Sequence, residues 1–445
     1  MSKKVFLRTF GCQMNERDSE MIAGMLKEKG YEITDDPDEA QVILFNTCSV
    51  RQHAEDRVMG NVRQLRSRKK KDPELRIGVL GCMAQRHGEM LFKELPEVDL
   101  LAGPSNIYDV PDLLARSVSS EKVIAVDKKK RPGKKAAGDH RSGVFSAFVN
   151  IMYGCDNFCS YCIVPHVRGR EVSRKKKDIV DEVKSLIDRG FKEVTLLGQN
   201  VNSYGKGLSS RTTFPDLLEA VNGIRGIERI RFTTSHPKDA AKPLFRAMAE
   251  LDKVCTHLHL PLQSGSDKIL DLMNRKYTYS DYLGKVELLR KMVPGIGLST
   301  DIIVGFPSEK VRDFEATRRA MEEISYNSAF VFKYSPRPPA MSSCIVDDVP
   351  EEVKKQRNNE LLALQKKISL ANNRGLIGTE QEVLVEGKSR MSGAEMMGRT
   401  SANIPCVFPA TEALLGELVW VRIDSTTPNT LKGKVVQAKG RRLAP

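Results

Sequence analysis

The sequence predicts an α/β protein with three folded regions: an N-terminal parallel-sheet βαβ domain, a central partial (β/α)6 barrel and a small C-terminal antiparallel β-barrel. A chain of 445 residues is too long for one ordinary core. Apolar strand-like runs alternate with helix-like segments in two stretches of different pitch. From Gly378 onward the pattern changes to short strands separated by glycines.

The first region covers residues 1–120. Its predicted strands are Val5–Phe10, Val42–Phe45 and Ile77–Leu80. A helix is predicted over Glu16–Lys29, because Asn15 is a favourable N-cap and Gly30 is favourable just after a helix. Alternation of this kind is typical of βαβ units, which form a parallel sheet.

A basic segment, residues 121–142, is predicted to be a mobile linker because it is rich in Lys, Gly and Ala. The second region, residues 143–375, repeats the alternation at a longer pitch. Its predicted strands are Phe145–Met152, Glu193–Leu197, Arg229–Thr233, His257–Leu260, Gly297–Val304 and Ala329–Tyr334. Helices are predicted over Asp178–Arg189, Tyr279–Met292 and Phe314–Ile324. Six repeats predict a partial barrel, smaller than the eightfold one.

The third region, residues 376–440, follows a polar helix predicted over Glu351–Asn373. Its predicted strands are Glu382–Glu386, Cys406–Phe408, Leu418–Ile423 and Lys434–Gln437. A small OB-like barrel fits this pattern, and such barrels often bind nucleic acid.

Charge and composition indicate what kind of partner and what cellular compartment to expect for this protein. The chain has 71 Lys and Arg against 57 Asp and Glu, a net charge of +14, which favours a polyanionic partner over a merely solvated basic surface. No run of 18 apolar residues exists, so a membrane span is not expected. The N-terminus shows no secretory pattern, and we expect a cytoplasmic protein in which the nine cysteines are not disulfides.

Cys155, Cys159 and Cys162 form a C-x3-C-x2-C motif, which we call the loop triad. A 4Fe–4S cube needs one ligand for each iron, and ordinary electron-transfer sites supply four thiolates. Three cysteines without a fourth nearby leave one iron open to another ligand. Zinc is a weaker interpretation, because no second Cys or His pair follows at finger spacing.

Cys12, Cys48 and Cys82, the upstream triad, each follow a predicted strand by two or three residues. The carboxyl ends of parallel strands form the ligand crevice of an open sheet, so these cysteines are expected to meet in space. The functional interpretation is a second cluster with three protein ligands. The alternative is three small residues that cap strands. Cys255, His257 and His259 are interpreted as barrel-lining residues rather than a metal site.

Two long motifs carry a family resemblance. The segments TFGCQMNERDSE, residues 9–20, and YGCDNFCSYCIVPHVRGRE, residues 153–171, resemble the radical S-adenosylmethionine (SAM) methylthiotransferases, and the likeness extends over essentially the whole chain. Within that family they are most similar to the branch that acts on isopentenyladenosine in tRNA. The C-terminal segment around Gly398-Arg-Thr looks like a TRAM domain, an RNA-binding barrel.

The resemblance implies two 4Fe–4S clusters and SAM as cofactors. The loop triad would bind the cluster that cleaves SAM to a radical, and the upstream triad an auxiliary cluster that carries the transferred sulfur. SAM would also donate the methyl group. The implied substrate is isopentenylated adenosine 37 in a tRNA anticodon loop, which gains a 2-methylthio group. Implied partners are an electron donor such as a flavodoxin or ferredoxin and an iron–sulfur delivery protein.

Further cofactor-binding residues are predicted from their positions at strand ends or beside the loop triad: Tyr161, Gln199, Asn200, Ser235, Gln263, Asp301 and Arg168. Tyr161 would pack on adenine, or else in the core. Gln199 and Asn200 stand where the superfamily often has Gly-Gly-Glu, from which this sequence departs. Ser235, Gln263 and Asp301 alternatively only shape the pocket. Arg168 would hold a carboxylate or phosphate, or else lie in a solvated basic loop.

Two other functions stay open on the sequence. Sister branches of the family methylthiolate threonylcarbamoyladenosine in tRNA or an aspartate of a ribosomal protein. A non-catalytic iron–sulfur RNA-binding protein is the alternative from another class, and it predicts no SAM cleavage.

Overall fold

The structure is a computed structural model that describes residues 3–49, 52–117, 122–127, 140–209, 211–389, 393, 395–438 and 441–442. It confirms the predicted α/β architecture of three regions. Most of the predicted linker, with the basic run 128–135, lies outside the described residues. In the described part of the chain, no helix has the length and apolar character needed to cross a membrane.

The N-terminal domain contains six parallel strands in the order β2-β1-β3-β4-β5-β6. The strands are β1 Lys4–Phe10, β2 Glu32–Thr34, β3 Val42–Thr47, β4 Arg76–Gly81, β5 Leu100–Ala102 and β6 Val123–Ala125. The helices are α1 Gln13–Glu28, α2 Gln52–Gln64, α3 Arg66–Lys71, α4 Cys82–His87, α5 Met90–Glu94 and α6 Val110–Ser117. Helices cover both faces of the sheet, so its central strands β3 and β4 are buried throughout.

Helix α1 begins three residues earlier than the sequence predicted. Its N-cap is Cys12, not Asn15, because the Asn15 backbone N–H already donates to the Cys12 carbonyl at 2.8 Å. The Asn15 side chain, which was predicted to cap the helix, instead accepts from the Cys12 thiol and donates to Asn46. Gly30 follows the helix with φ +84°, as predicted.

The central domain contains two three-stranded parallel sheets, β11-β10-β7 and β12-β13-β14, which a bridge between Ile230 and Val254 connects into one partial barrel. The strands are β7 Ser146–Asn150, β8 Met152–Tyr153, β9 Val172–Ser173, β10 Glu193–Leu197, β11 Arg229–Thr233, β12 His257–His259, β13 Gly297–Val304 and β14 Ser328–Lys333. The helices are α7 Val164–Val167, α8 Lys176–Asp188, α9 Phe214–Asn222, α10 Lys242–Glu250, α11 Asp267–Leu272, α12 Tyr279–Met292, α13 Val311–Ile324 and α14 Glu351–Arg374.

The single strand predicted over Phe145–Met152 is divided into β7 and β8. The Ile151 N–H still bonds to Leu197, but the Ile151 carbonyl accepts from Arg174 of the returning chain. The chain therefore leaves the barrel, and β8 pairs antiparallel with β9. This departure starts the loop that carries the loop triad.

The C-terminal domain is a closed barrel with the order β17-β16-β15-β18-β19-β20. Neighbouring strands in this order are antiparallel, and β17 closes the barrel by pairing parallel to β19. The strands are β15 Glu380–Lys388, β16 Glu395–Thr400, β17 Pro405–Pro409, β18 Leu418–Thr426, β19 Leu431–Ala438 and β20 Arg441–Arg442. The sequence did not predict β16. Its Gly398 lies against the Leu384 carbonyl, where a Cβ would overlap the neighbouring strand.

The C-terminal barrel is attached to the amino ends of the central strands. Arg229 Nη1 donates to the Arg399 carbonyl at 2.7 Å, and Arg231 Nη2 donates to the Thr400 carbonyl at 2.8 Å. Lys192, just before β10, forms an ion pair with Glu417 at 2.8 Å. The C-terminal barrel therefore does not cover the opposite, carboxyl ends of the central strands.

Candidate functional site

The upstream triad forms at the carboxyl edge of three adjacent strands. Cys12 follows β1, Cys48 follows β3 and Cys82 follows β4, and the sheet places these strands side by side. A hydrogen bond with Cys48 lowers the pKa of the Cys12 thiol to about 6. Gly11 has φ +144° and lies so close to Cys48 that a Cβ would overlap it, so glycine lets these two strand ends approach.

The three cysteines of the upstream triad differ in exposure. The residue surface of Cys12 is exposed, although protein surrounds its thiol closely enough for burial to affect the pKa. Cys48 and Cys82 are buried. Burial raises the pKa of the Cys82 thiol, and Arg168 opposes this increase.

The loop triad lies between β8 and α7. The Cys155 N–H donates to the Gly169 carbonyl at 3.2 Å, and the Cys162 N–H donates to the Cys159 carbonyl at 2.9 Å. These bonds fold the loop so that all three thiols lie close together. Burial, together with the Cys159 charge, raises the pKa of Cys155 to about 11. Burial and the charges of Cys159 and Cys155 also raise the pKa of Cys162.

The two triads are neighbours across the domain interface. Cys82 of the upstream triad forms an apolar cluster with Ile163 and Val167. Ile163 is the residue after Cys162, so its contact with Cys82 brings the upstream triad next to the segment that carries the loop triad. The fold therefore places both sets of thiols at one interface.

All nine cysteines are free thiols, so each triad can supply three. Three thiols, each able to bind a different iron, fit a 4Fe–4S cube with one iron lacking a protein ligand. Within the described ranges, no three His, Cys, Asp or Glu side chains are arranged to hold a single metal ion.

A row of uncommitted polar atoms lies at the carboxyl ends of the central strands. Gln199 Oε1, Asn200 Oδ1, Ser235 Oγ and Gln263 Oε1 are buried without a hydrogen-bond partner among the described residues. Each such atom costs about 1–3 kcal/mol when it stays unpaired. Four of them after β10, β11 and β12 indicate a site for a polar ligand. The three amide oxygens are acceptors and fit the amino and ribose hydroxyl groups of SAM, and the Ser235 hydroxyl can donate to its carboxylate.

The other three predicted cofactor-binding residues each contact a protein group. Tyr161 packs against the core cluster of α11 and β13, and its hydroxyl lies 3.3 Å from Arg275 Nη1, which favours the core-packing alternative. Asp301 lies 3.4 Å from His259 Nε2. Arg168 is buried and holds the carboxylate of Asp18 at 3.0 Å, beside the upstream triad rather than in a solvated loop.

Comparison with known proteins identifies the family. Family models match residues 4–103 (Uncharacterized protein family UPF0004), 149–321 (Radical SAM superfamily) and 374–436 (TRAM domain). The chain is 47% identical to the tRNA-2-methylthio-N(6)-dimethylallyladenosine synthase of Clostridium novyi, over 98% of this chain and 97% of that protein. The synthase of Moorella thermoacetica is 45% identical to this chain, over 98% of this chain and 99% of the Moorella protein. The chain belongs to the tRNA-2-methylthio-N(6)-dimethylallyladenosine synthase family.

Solved structures share the fold with this member of the synthase family. The radical SAM methyltransferase TsrM of Kitasatospora setae matches with a TM-score of 0.57 at 15% identity, over 77% of this chain and 74% of that one. The cobalamin-dependent radical SAM enzyme OxsB matches with a TM-score of 0.51 at 12% identity, over 83% of this chain and 56% of the OxsB chain. At these identities the likeness is one of fold.

Two site residues of this synthase-family chain were missed by the sequence analysis. Arg275 Nη1 lies 3.3 Å from Cys159 Sγ, and His236 Nε2 lies 3.8 Å from it. His236 follows Ser235 at the end of β11, so its strand-end position was a usable signal. Arg275 follows α11, far from any strand end, and has no local signal. It reaches the triad because Nη2 is fixed on the Pro261 carbonyl at 2.8 Å.

The row of uncommitted atoms also includes residues that the sequence analysis did not select. Asn150 Oδ1, at the end of β7, and Thr234 Oγ1, just after β11, are buried without a partner in the described parts of the chain. His257 and His259 line the barrel, as predicted. Both bond to Ser299 Oγ, at 3.0 and 2.9 Å, and burial lowers the pKa of His257 to about 3.

Proposed function

We propose that this chain is a radical SAM tRNA methylthiotransferase. It converts isopentenyladenosine at position 37 of tRNA to the 2-methylthio derivative, with SAM as methyl donor and radical source. One structural observation carries the proposal: two cysteine triads meet at one domain interface, through Cys82 and Ile163. The relatives whose printed names state this activity match 98% of the chain, so the likeness includes both triad-bearing domains.

The proposed cofactors are two 4Fe–4S clusters and SAM. The loop triad and the upstream triad would each hold one cluster, which fits their free thiols. When bound, these groups supply one-electron cleavage of SAM and the sulfur that is transferred. Cytoplasmic location, an electron donor such as a flavodoxin or ferredoxin, and an iron–sulfur delivery protein are part of the proposal.

The protein's own residues orient the reactants. The uncommitted oxygens of Gln199, Asn200, Ser235 and Gln263 face a polar ligand at the carboxyl end of the barrel. Asn200 is held by its Nδ2, which donates to Asp239 at 2.7 Å, so its free oxygen has a fixed direction. Ile163 and Val167 shield Cys82 from water. Orientation and exclusion of water are what a radical reaction requires of its protein.

tRNA binding is assigned to two separate surfaces. The C-terminal barrel lies at the amino ends of the central strands, and the triads belong to the opposite end. Trp420, with 40% of its surface exposed, shares the outer face of β18 and β19 with Arg422, Lys432 and Lys434. An aromatic side chain among cations suits RNA bases and phosphates. We assign this face to tRNA outside the reacting base, which enters the site as an unpaired loop base.

A product assay tests the proposal. The reconstituted chain is incubated anaerobically with SAM, a reductant and isopentenylated tRNA that lacks the methylthio mark. We expect 2-methylthio-isopentenyladenosine in digested tRNA by mass spectrometry, together with 5′-deoxyadenosine. Parallel reactions with threonylcarbamoyladenosine tRNA and with ribosomal protein test the sister activities. Product in either of those reactions and none with isopentenylated tRNA would contradict the assignment.

A further inference from the structure

Arg168 is fixed at the interface between the two domains that carry the triads. Its side chain is 4% exposed, and Nη2 donates to Asp18 Oδ2 at 3.0 Å and to Asn15 Oδ1 at 3.4 Å. The same Asn15 oxygen accepts from the Cys12 thiol at 3.2 Å. One end of the guanidinium is therefore anchored on α1, next to a member of the upstream triad.

The other end of the guanidinium has no oxygen or nitrogen acceptor. Arg168 Nη1 is buried without such a partner in the part of the chain that the structure describes, and the guanidinium lies close enough to the Cys82 thiol to hydrogen-bond with it. Burial lowers the pKa of Arg168, but the charges of Cys82, Asp18, Cys12 and Cys48 more than offset this effect and raise it. The cation thus lies within electrostatic reach of all three thiols. A buried charged donor without an acceptor is unfavourable, which indicates that Nη1 serves a ligand.

The chemistry of the neighbours defines this ligand. Nη1 is a charged N–H donor, and it prefers an anionic acceptor. As cluster ligands, the three thiols would surround a body rich in sulfide, whose iron without a protein ligand would offer a place for a further sulfur. An anionic sulfur atom at the upstream triad matches the donor in charge and in position.

We propose that Arg168 is a positioning residue for sulfur at the upstream triad: Asp18 and Asn15 fix the guanidinium, and Nη1–H donates to an anionic sulfur atom bound there. This assignment rests on the proposed function, because it needs a cluster at Cys12, Cys48 and Cys82. In this role Arg168 affects both the cluster and the sulfur bound to it. The cation makes reduction of the cluster more favourable, and the hydrogen bond holds the sulfur ligand.

The test isolates the upstream cluster in the full-length chain. Cys155, Cys159 and Cys162 are replaced with Ala, so that one cluster remains after reconstitution. Arg168→Gln and Arg168→Lys are introduced into this background. Arg141→Gln is the matched control: Arg141 is 6% exposed and pairs with Glu20 and Glu182 at the same interface, but its interactions involve none of the thiols. EPR-monitored redox titration gives the midpoint potential, and titration with sodium hydrosulfide gives the affinity for sulfur.

We expect Arg168→Gln to lower the midpoint potential and to weaken hydrosulfide binding about tenfold or more, the scale of a lost charge-assisted hydrogen bond. Arg168→Lys should retain most of the potential, since it keeps the charge. Arg141→Gln should change neither property. Equal potential and affinity in the Arg168→Gln and Arg141→Gln proteins would overturn the proposal.

If the Arg168→Gln protein forms no cluster, a second variant tests the same proposal. Asp18→Asn keeps the guanidinium but weakens its anchor, and it should weaken hydrosulfide binding while a cluster still forms. Unchanged affinity in both Asp18→Asn and Arg168→Lys would overturn the proposal. Neither measurement uses tRNA, so the role of Arg168 can fail while the product assay still supports the methylthiotransferase. A background protein with Arg168 intact and no cluster would overturn the cluster assignment itself.

Discussion

Cys82 packs against Ile163, the residue that follows Cys162. This contact joins two cysteine triads that belong to different domains and whose outermost members lie 150 positions apart in the chain. Ile163 is 1% exposed and Cys82 is 2% exposed, so water is excluded between them. The adjacency of the two proposed clusters therefore depends on an apolar contact between domains, in addition to the loops that carry the thiols.

The first prediction concerns iron content. Anaerobic reconstitution should give about eight irons per chain, four for each cluster. Replacing Cys155, Cys159 and Cys162 together with Ala should leave about four irons and abolish SAM cleavage. The measurement is iron and sulfide per chain. Cys344→Ala, at an exposed cysteine, is the control and should keep about eight. Iron near eight in the triple variant would show that the ligand assignment is wrong.

The second prediction concerns the contact between the triads. Ile163→Ala removes buried methyl groups and should lower the free energy of unfolding by roughly 2–5 kcal/mol, as in other large-to-small core changes. Urea unfolding of the cluster-free protein measures this. Val311→Ala is the control, because Val311 is 69% exposed and its truncation should cost little. An equal decrease in the free energy of unfolding in the two variants would show that the buried contact of Ile163 does not stabilise the protein more than an exposed side chain does.

The third prediction concerns pH and the domain interface. Burial opposes ionisation of Glu182, but Arg174, Arg17 and Arg141 outweigh it and lower its pKa to about 2. A folded-state pKa below the unfolded value means that Glu182 stabilises the protein above about pH 4.5, and that this contribution is lost as pH falls toward 2.

Glu182→Gln tests this linkage. It should destabilise the protein by about 3 kcal/mol or more at pH 7, and the difference from the parent should shrink below about pH 4. Urea unfolding at several pH values measures it. Asp181→Asn, a neighbouring carboxylate whose Oδ2 pairs with the exposed Lys177, is the control. A pH-independent difference for Glu182→Gln would contradict the linkage.

The fourth prediction concerns tRNA. Trp420→Ala should weaken tRNA binding by about 1–3 kcal/mol, the usual contribution of one stacked base, with both clusters intact. Trp420→Phe should restore most of the affinity because it keeps an aromatic face. Binding is measured at matched salt, since affinity for RNA depends strongly on ionic strength. Unchanged affinity in Trp420→Ala would remove this residue from the RNA-binding face.

The fifth prediction concerns Lys434, which lies opposite Arg422 on the same face of β18 and β19 as Trp420. Lys434→Gln should lower affinity and reduce the salt dependence of binding by about one counterion, if Lys434 contacts a phosphate. The slope of log Kd against log salt measures this directly. Lys366→Gln is the control, because Lys366 is an exposed lysine on α14 and belongs to none of the barrel strands. Parallel slopes for the parent and the Lys434→Gln protein would contradict a phosphate contact.

The sequence by itself determined the parts of the site that depend on short spacing and on strand position. The C-x3-C-x2-C spacing defined Cys155, Cys159 and Cys162, and the placement of Cys12, Cys48 and Cys82 after apolar strands predicted that they would converge. It also predicted Gln199, Asn200, Ser235 and Gln263 as strand-end residues, which the structure shows with uncommitted oxygens. Strand periodicity and motif spacing depend only on residues that are close together in the sequence, so both can be recognised before the fold is known.

Only the tertiary structure decided which residues distant in sequence meet. Arg168, predicted from its place after the loop triad, lies instead beside the upstream triad and Asp18, because the N-terminal and central domains pack together there. Arg275 reaches Cys159 from 116 positions away within the central domain. Asn15 was predicted to cap α1, but within the N-terminal domain it bonds to Cys12 and Asn46. Buried polar groups take the partners that packing brings near, and no local pattern encodes that choice.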